Sequence, residues 1–555
     1  MGTFRLTRRR KIIFTVSTVI FFFLIILIVL NQLIAPVVRS RLKTFIIEGS
    51  DSLYTYSLGD LEAHILGGRV EVQNLQIKID SNHYRDLEVH NQLPSITMQL
   101  NLKKGTINGI DLLSLIFSKK IHIDKIRSKE ANITLSRHPR VQSHTEWNAP
   151  IWKSIQHDIR KVSVDEIRLD GLKLLYRHAD TAESAKLQFD KCDAVFKDVD
   201  IDSVSAADPE RVAYSKDIDI AFEDMKFRTS DSSYKMKATG IRYSTGRKIL
   251  EVDSFKCQPT LEKEDFYRLS QHQTELFYLQ LEKFTLVNAR LDDLINKEML
   301  KGDSMLFQNP VIQVYADLSA RYPDFESNVG KYPHQLLLSV PIGIDIVRAI
   351  IKNGRVSYTQ KSAAGEEGTV SASDINMQVA NITNLAGNIK KDSVCEASAT
   401  GMALQKSPFE LSLKFFLNAR NGNFQATGHV KNISSGQINP VSEPLAKFFL
   451  NSLFIHDISF KVSGENGHAV SDVKMLYNDL FLTIKKVDTA TGTHSTSLFA
   501  TKILNKLALR HNNPENGYEK DARGINVIRV SSQSFFGFLW KAVFSGIQSI
   551  IMNAP

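Results

Sequence analysis

Apolar residues recurring at every second position constrain this chain more than any other property. They appear as Val70, Val72 followed by Leu75, Ile77, Ile79, and again as Val162 and Val164. Further on come Ile218, Ile220, Phe222, then Ile458, Phe460, Val462, and then Leu480, Leu482, Ile484. A strand points successive side chains to opposite faces, so this alternation puts one face against apolar material and the other against water. Antiparallel sheets tolerate that division well. Asp170-Gly171, Asn353-Gly354, Asn421-Gly422 and Asn466-Gly467 lie between such runs and supply turn chemistry. The expected fold is mostly β: an elongated antiparallel meander with a few short helices.

The N-terminus is of another kind. Ile12 to Leu30 holds no charge, with Ile12, Phe21 and Leu30 marking its start, middle and end. At about 1.5 Å per residue such a stretch spans a hydrocarbon core of about 30 Å. A cleaved signal peptide has a shorter apolar region and a small-residue exit, whereas this run leaves through Asn31-Gln32-Leu33-Ile34-Ala35-Pro36. The expectation is an uncleaved, single-pass anchor. Formal net charge is +9, and residues 1–47 carry eight cations and no acid, leaving +1 for everything after them. The basic excess therefore flanks the apolar run, five cations before it and three after, which favours a cytosolic N-terminus. Nucleic acid is not an expected partner.

The organisation expected is a basic tail at 1–11, the anchor at 12–35, a first β module at 36–149 and a central meander at 150–404. A closing module follows at 405–490, and the C-terminal helices with a last strand at 491–555. Short helices are expected around Pro150 to Val162, Glu264 to Gln273, Asp292 to Leu300 and Phe499 to Arg510. A local pattern, apolar residues at offsets 0, 2 and 5 with an acid at offset 3, occurs at Ile121, Val162, Leu279 and Ile342. Its acids are Asp124, Asp165, Glu282 and Asp345, and the change of parity there requires a bulge or bend in a strand. The spacings are too unequal for a regular solenoid.

The order of basic tail, anchor and GGRVEVQNLQIKID at Gly67 to Asp80 resembles the AsmA-like proteins of Gram-negative bacterial envelopes. So do VSVDEIRLDGLKLLY at Val162 to Tyr176 and the stretch Phe454 to Ile484, with its Tyr477-Asn478-Asp479-Leu480 strand. The resemblance covers the whole chain. It implies an inner-membrane protein with its ectodomain in the periplasm, an open sheet with an apolar concave groove, and phospholipid handling or outer-membrane assembly. Membrane phospholipids are the implied partners, with groove candidates at Val164, Ile344 and Val356.

No motif for catalysis accompanies these features. There is no Gly-x-Ser-x-Gly, no Gly-Lys-Ser/Thr phosphate loop, no His-Glu-x-x-His and no Cys-x-x-Cys. The fifteen histidines are scattered and read as surface residues. Asp124, Asp165 and Asp345 are far apart in sequence and read as bend or turn residues. Cys192, Cys257 and Cys395 are too few for a disulfide framework and read as small buried side chains. Neither enzyme activity nor a cofactor is expected. The alternative to lipid handling is an adaptor that binds envelope proteins through its sheet edges. At the C-terminus, Ser534 to Met552 carries Lys541 as its only charge, and Phe536, Trp540, Phe544 and Ile547 fall on one helical stripe. Three roles fit it: a cap over the last sheet, which is favoured, a docking helix for a membrane or a protein, or a second transmembrane span, which its Ser, Gly and Gln residues dilute.

Overall fold

The computed structural model describes the chain between Ile46 and Met552, apart from residues 112–119, 139–159, 179–186, 270–273, 320–326, 488–493, 497–504, 506–508 and a few shorter gaps. The expected anchor, most of the helix expected over Pro150 to Val162 and most of Phe499 to Arg510 lie outside the described residues; at the end of the second of these, Lys161 and Val162 are strand instead. Among the described residues no helix is long and apolar enough to cross a membrane. What is described is mostly strand, and it divides into two compact units. One comprises the chain to Ser230 with Thr239–Arg247; the other comprises Asp231–Ala238 and everything from Lys248.

In the first unit, β1 (Tyr54–Ser57) and β2 (Leu61–His64) pair antiparallel with β3 (Arg69–Ile79), which a short helix, α1 (Ser81–Val89), follows. Beyond β3 come β4 (Ile96–Asn108) and β5 (Lys120–Arg137), both antiparallel steps. Next, β6 (Lys161–His178) lies parallel to β5, and β7 (Leu187–Ile201) and β8 (Ser215–Arg228) return antiparallel, with α2 (Ser203–Ala207) between them. The expectation of a purely antiparallel sheet therefore needs correcting. Some twenty residues separate β5 from β6, enough for the crossover that a parallel pair demands and a hairpin does not. Ile123, Val164, Val199 and Tyr214 form one buried cluster, and Ala131, Leu172 and Cys192 another.

Left-handed residues line up across this sheet. Asn74, Glu130, Gly171 and Lys191 all have positive φ, between 53° and 65°. The register places them beside one another: Gln73 faces Lys104, Lys104 faces Lys129, Lys129 faces Asp170, and Leu172 faces Cys192. Asp170-Gly171 is thus no hairpin turn but an interruption inside β6, where the β6–β7 ladder shifts register. The positive φ that suits Asn and Gly to tight turns suits them equally to bulges.

The second unit is built on longer strands broken at matching points. The pieces are β10 (Ile249–Val252), β11 (Ser254–Pro259), β12 (Glu275–Leu281), β13 (Lys283–Val287), β14 (Met299–Gln308) and β15 (Val311–Asp317), after a strand β9 (Tyr234–Ser244) in which the boundary between the units falls. The uninterrupted β16 (Gly343–Lys361) runs parallel to β14 along its first half and to β15 along its second. The breaks coincide with Glu282, Asn309 and Asn353, which are tied side chain to side chain. Asn309 donates to the Glu282 carboxylate, and Asn353 donates to Asn309 Oδ1 at 2.7 Å. Glu282 is the acid of one local repeat, and there the expected bend occurs. At Asp124 and Asp165 the β5–β6 ladder keeps its register because both strands carry the pattern, and the expected change of parity occurs in each: Ile121, Ile123 and Ile126, like Val162, Val164 and Ile167, pack in one cluster. Asp292 to Leu300, expected as helix, ends as the start of β14; Glu264 to Gln273 does contain a helix, α3 (Lys263–Leu269).

From β16 the sheet proceeds antiparallel through β17 (Glu367–Thr383), β18 (Val394–Ala403), β19 (Ser407–Phe416), β20 (Phe424–Ser434), β21 (Phe448–Gly464) and β22 (His468–Val487). A three-residue strand, β23 (His494–Thr496), and then β24 (Ala522–Ile528) both pair with β22. Asn421-Gly422 and Asn466-Gly467 make the turns expected of them, between β19 and β20 and between β21 and β22. Alternation along these strands builds one continuous cross-strand row, Ala349–Val379–Ala397–Leu413–Ala426–Val462–Ser471. Besides α3, the described residues of this unit form α4 (Pro333–Ser339), α5 (Ala386–Ile389), α6 (Ser435–Ala446) and α7 (Phe535–Ile551). Helix α7 covers the last part of the row, on β21 and β22. Ser471 Oγ donates to the Ala542 carbonyl at 2.8 Å, and a methyl group on Gly546 would fall on Val473.

Candidate functional site

The same alternation that fills the core of the second unit continues past the point where helices cover it. Two register rows carry it. One is Leu279–Ile312–Val356–Ala372–Ala403 and the other Phe277–Val314–Tyr358–Val370. Ala403 lies on the same face of β18 as Ala399 and Ala397, so these rows extend the core face. Yet Phe277, Ile312, Val356 and Val370 are 45, 37, 37 and 44% exposed. Bulges make this continuity work. The β16–β17 ladder shifts register on both sides of Gly354, beside Asn353 (φ 54°), and Asp374 (φ 52°) interrupts β17. Without that change of parity Val356 would face away from Ile351 and Met377. At one side of the exposed rows, Gly368 meets Leu445 and Pro444 of α6 so closely that no side chain fits there. The opposite face of β12 and β15 is sealed by Tyr267 of α3 against Leu276 and Tyr315.

A protonatable group sits in this apolar setting. Tyr358 Oη donates to Glu275 Oε1 at 3.3 Å. Burial pushes the Glu275 carboxyl up, only partly offset by that hydrogen bond, and burial beside Glu275 pushes the Tyr358 phenol up as well. A carboxyl shifted this way sheds its charge more readily on entering an apolar environment. The arrangement suits holding an apolar ligand with one polar contact. Among the described residues of these rows there is no nucleophile with an adjacent base.

Between these rows and the helix-covered core lies an open cleft of about 710 Å³, bordered among others by Ile351, Met377, Ala399, Leu411 and Gly428. Those five are cross-strand neighbours in succession. The Phe460 ring lies over Gly428, whose missing side chain admits it.

The sequence-derived residues fall in different settings. Val356 is in the exposed rows. Ile344 is partly buried at the start of β16, its amide donating to Asn384 Oδ1 at 2.7 Å and its carbonyl accepting from Thr383 Oγ1 at 3.0 Å. Val164 is 4% exposed within the first unit's cluster with Ile123 and Val199. Phe277, Ile312 and Val370 were not singled out by sequence. Phe277 and Leu279 alternate at the head of the Leu279 repeat, but nothing in the chain order reveals that β15 and β16 lie beside them. On α7, Phe536, Trp540 and Phe544 are exposed and Ile547 packs against the core. Ile12, Phe21 and Leu30 lie outside the described residues.

Two further sets differ from expectation. Asp124 and Asp165, far apart in sequence, become neighbours on parallel strands, and His122 approaches them at 3.5 and 3.7 Å. Their ligand atoms lie within 4.8 Å of one another, all on exposed residues. His138, expected at the surface, is buried and bonded to Thr97 Oγ1 at 3.1 Å. Cys192 and Cys395 are buried free thiols, pushed by burial up to about 12 and about 11; Cys257 is partly buried, also free, and shifted the same way. No family model and no curated protein matches this chain.

Proposed function

We propose that the chain is a membrane-anchored, AsmA-like envelope protein that handles phospholipid, with acyl chains lying on the exposed rows of the second unit. One observation carries this reading: an apolar sheet face that leaves the core and stays apolar where it meets solvent, at Phe277, Ile312, Val356 and Val370. Contiguous apolar surface of this kind commonly marks a binding site. A continuous apolar face suits extended hydrocarbon, and Glu275 with Tyr358 gives one polar contact at its border. Inner-membrane anchorage and a periplasmic ectodomain belong to the same proposal and rest on residues 1–47.

The test is pick-up of a fluorescent phospholipid by the full chain in detergent, comparing wild type with Val356→Asp. A new carboxylate at an exposed position hydrates, so folding is retained, but it must be desolvated under an acyl chain. Pick-up should fall at least about tenfold, the effect of about 1.4 kcal/mol, with an unchanged melting temperature. Val347→Asp, at a 62% exposed site on β16 outside the two rows, is the charge control. Equal pick-up by Val356→Asp and wild type would refute the proposal. A stoichiometric protein partner with no bound lipid would favour the adaptor instead.

A further inference from the structure

Helix α7 is apolar on two sides, and only one is used by the fold. Phe535, Phe538, Leu539, Ala542, Val543 and Ile550 face the sheet, each at most 6% exposed. Phe536, Trp540 and Phe544, spaced by four and so stacked along one stripe, are 60, 62 and 37% exposed. The Trp540 and Phe544 rings stack with centroids 5.7 Å apart. The helix start is fixed by Ser534, whose Oγ accepts from the Gly537 amide at 3.3 Å. Ile528, 77% exposed, borders the stripe, since Lys541 Nζ donates to its carbonyl at 2.8 Å.

Area and charge together indicate what this stripe meets. Aromatic side chains bury about 150–250 Å² each, so the three exposed fractions amount to roughly 300 Å². A stable protein interface takes about 800 Å² from each partner. The stripe is too narrow for that, but three aromatic rings suffice for shallow entry into a lipid headgroup layer, where aromatic residues concentrate. From Val530 to Pro555 Lys541 is the only charged side chain, partly exposed beside the stripe; of the two cations just before it, Arg529 is buried and Arg523 is paired with Asp521 at 3.3 Å. With no acid from Ala522 onward to oppose it, the Lys541 cation at the margin of the rings favours an anionic surface.

We propose that the Phe536–Trp540–Phe544 stripe docks the closing module onto an anionic phospholipid surface. The rings enter the headgroup layer, and Lys541 meets phosphate at its margin. This contact goes beyond the lipid-binding rows and stands whether or not they carry lipid, because the residues are separate.

The test uses the full chain in phosphatidylcholine nanodiscs, mixed with phosphatidylcholine vesicles with or without about a third phosphatidylglycerol, the anionic component. Wild type should float with the anionic vesicles, and the triple variant Phe536→Ser, Trp540→Ser, Phe544→Ser should lose at least about tenfold of that recovery with an unchanged melt. In a Trp147→Phe, Trp152→Phe background, Trp540 fluorescence should shift to the blue and be quenched by brominated lipid placed in the vesicles alone. Flotation of the triple variant equal to wild type, or no quenching, would overturn the proposal. So would wild type that ignores vesicles but retains a protein partner through the same stripe. Equal recovery with and without phosphatidylglycerol would overturn the anionic preference.

Discussion

Replacing His334 by Phe should make the second unit both more stable and less sensitive to acid. His334 opens α4, is 1% exposed and stacks on Phe415 with centroids 5.0 Å apart. Neither ring nitrogen has a hydrogen-bond partner among the described residues. Burial holds the imidazole down to about 4, against 6.5 when free. The folded protein therefore keeps it neutral while the unfolded chain takes up a proton as pH falls below 6.5. The resulting stability is complete above pH 6.5 and is lost progressively down to about pH 4. A gap of about 2.5 pH units corresponds to about 3 kcal/mol. In Phe the orphaned nitrogens disappear, which adds about 1–3 kcal/mol at neutral pH, less any cost of the larger ring. Urea unfolding of the full chain in detergent, followed by fluorescence at pH 7.5, 6, 5 and 4.5, gives both quantities. Carboxylates titrate in both proteins, so the difference between wild type and variant isolates His334. If that difference is the same at every pH, the imidazole is not held neutral by the core and the reasoning fails.

Two further substitutions test the architecture, both by urea unfolding. Asn353→Val should cost about 2–3 kcal/mol, through a β-branched residue at positive φ and loss of the hydrogen bond to Asn309; Asn353→Gly should cost less, since only the hydrogen bond is lost. Tyr477→Phe should cost about 1–2 kcal/mol, because its hydroxyl donates to the Arg510 carbonyl at 2.8 Å in a fully buried site.

The alternating residues made the strands legible before any coordinates, because a period of two leaves few alternatives. Ile458, Phe460 and Val462 all lie in one strand, β21, and pair there with both β20 and β22. Pairing direction was not legible. Whether β6 lies parallel or antiparallel to β5 depends on the path of the connection, which leaves no mark on either strand. For the same reason the approach of Asp124 to Asp165 was invisible, since sequence distance says nothing about neighbours across a parallel pair. Three of the four Asn-Gly and Asp-Gly pairs hold a residue of positive φ, Gly171, Asn353 and Gly422, but two of those three lie at bulges inside long strands. The helical projection of Ser534 to Met552 put Phe544 and Ile547 on one stripe; in the structure Ile547 packs against the core and Phe544 is exposed. Both faces of α7 are apolar, so hydrophobicity alone could not say which one turned inward.

The aligned left-handed residues also bear on how such strands tolerate change in length. If a strand as long as β5 or β16, of 18 and 19 residues, had no such residue, one inserted residue would invert every side chain beyond it. A left-handed residue at mid-strand resets the phase, so each arm keeps its own inside and outside. An insertion close to Asn353 or Glu130 need therefore displace only the short stretch between itself and the reset. Errors stay local, and each arm can lengthen or shorten as an independent segment while its partner arm retains its register.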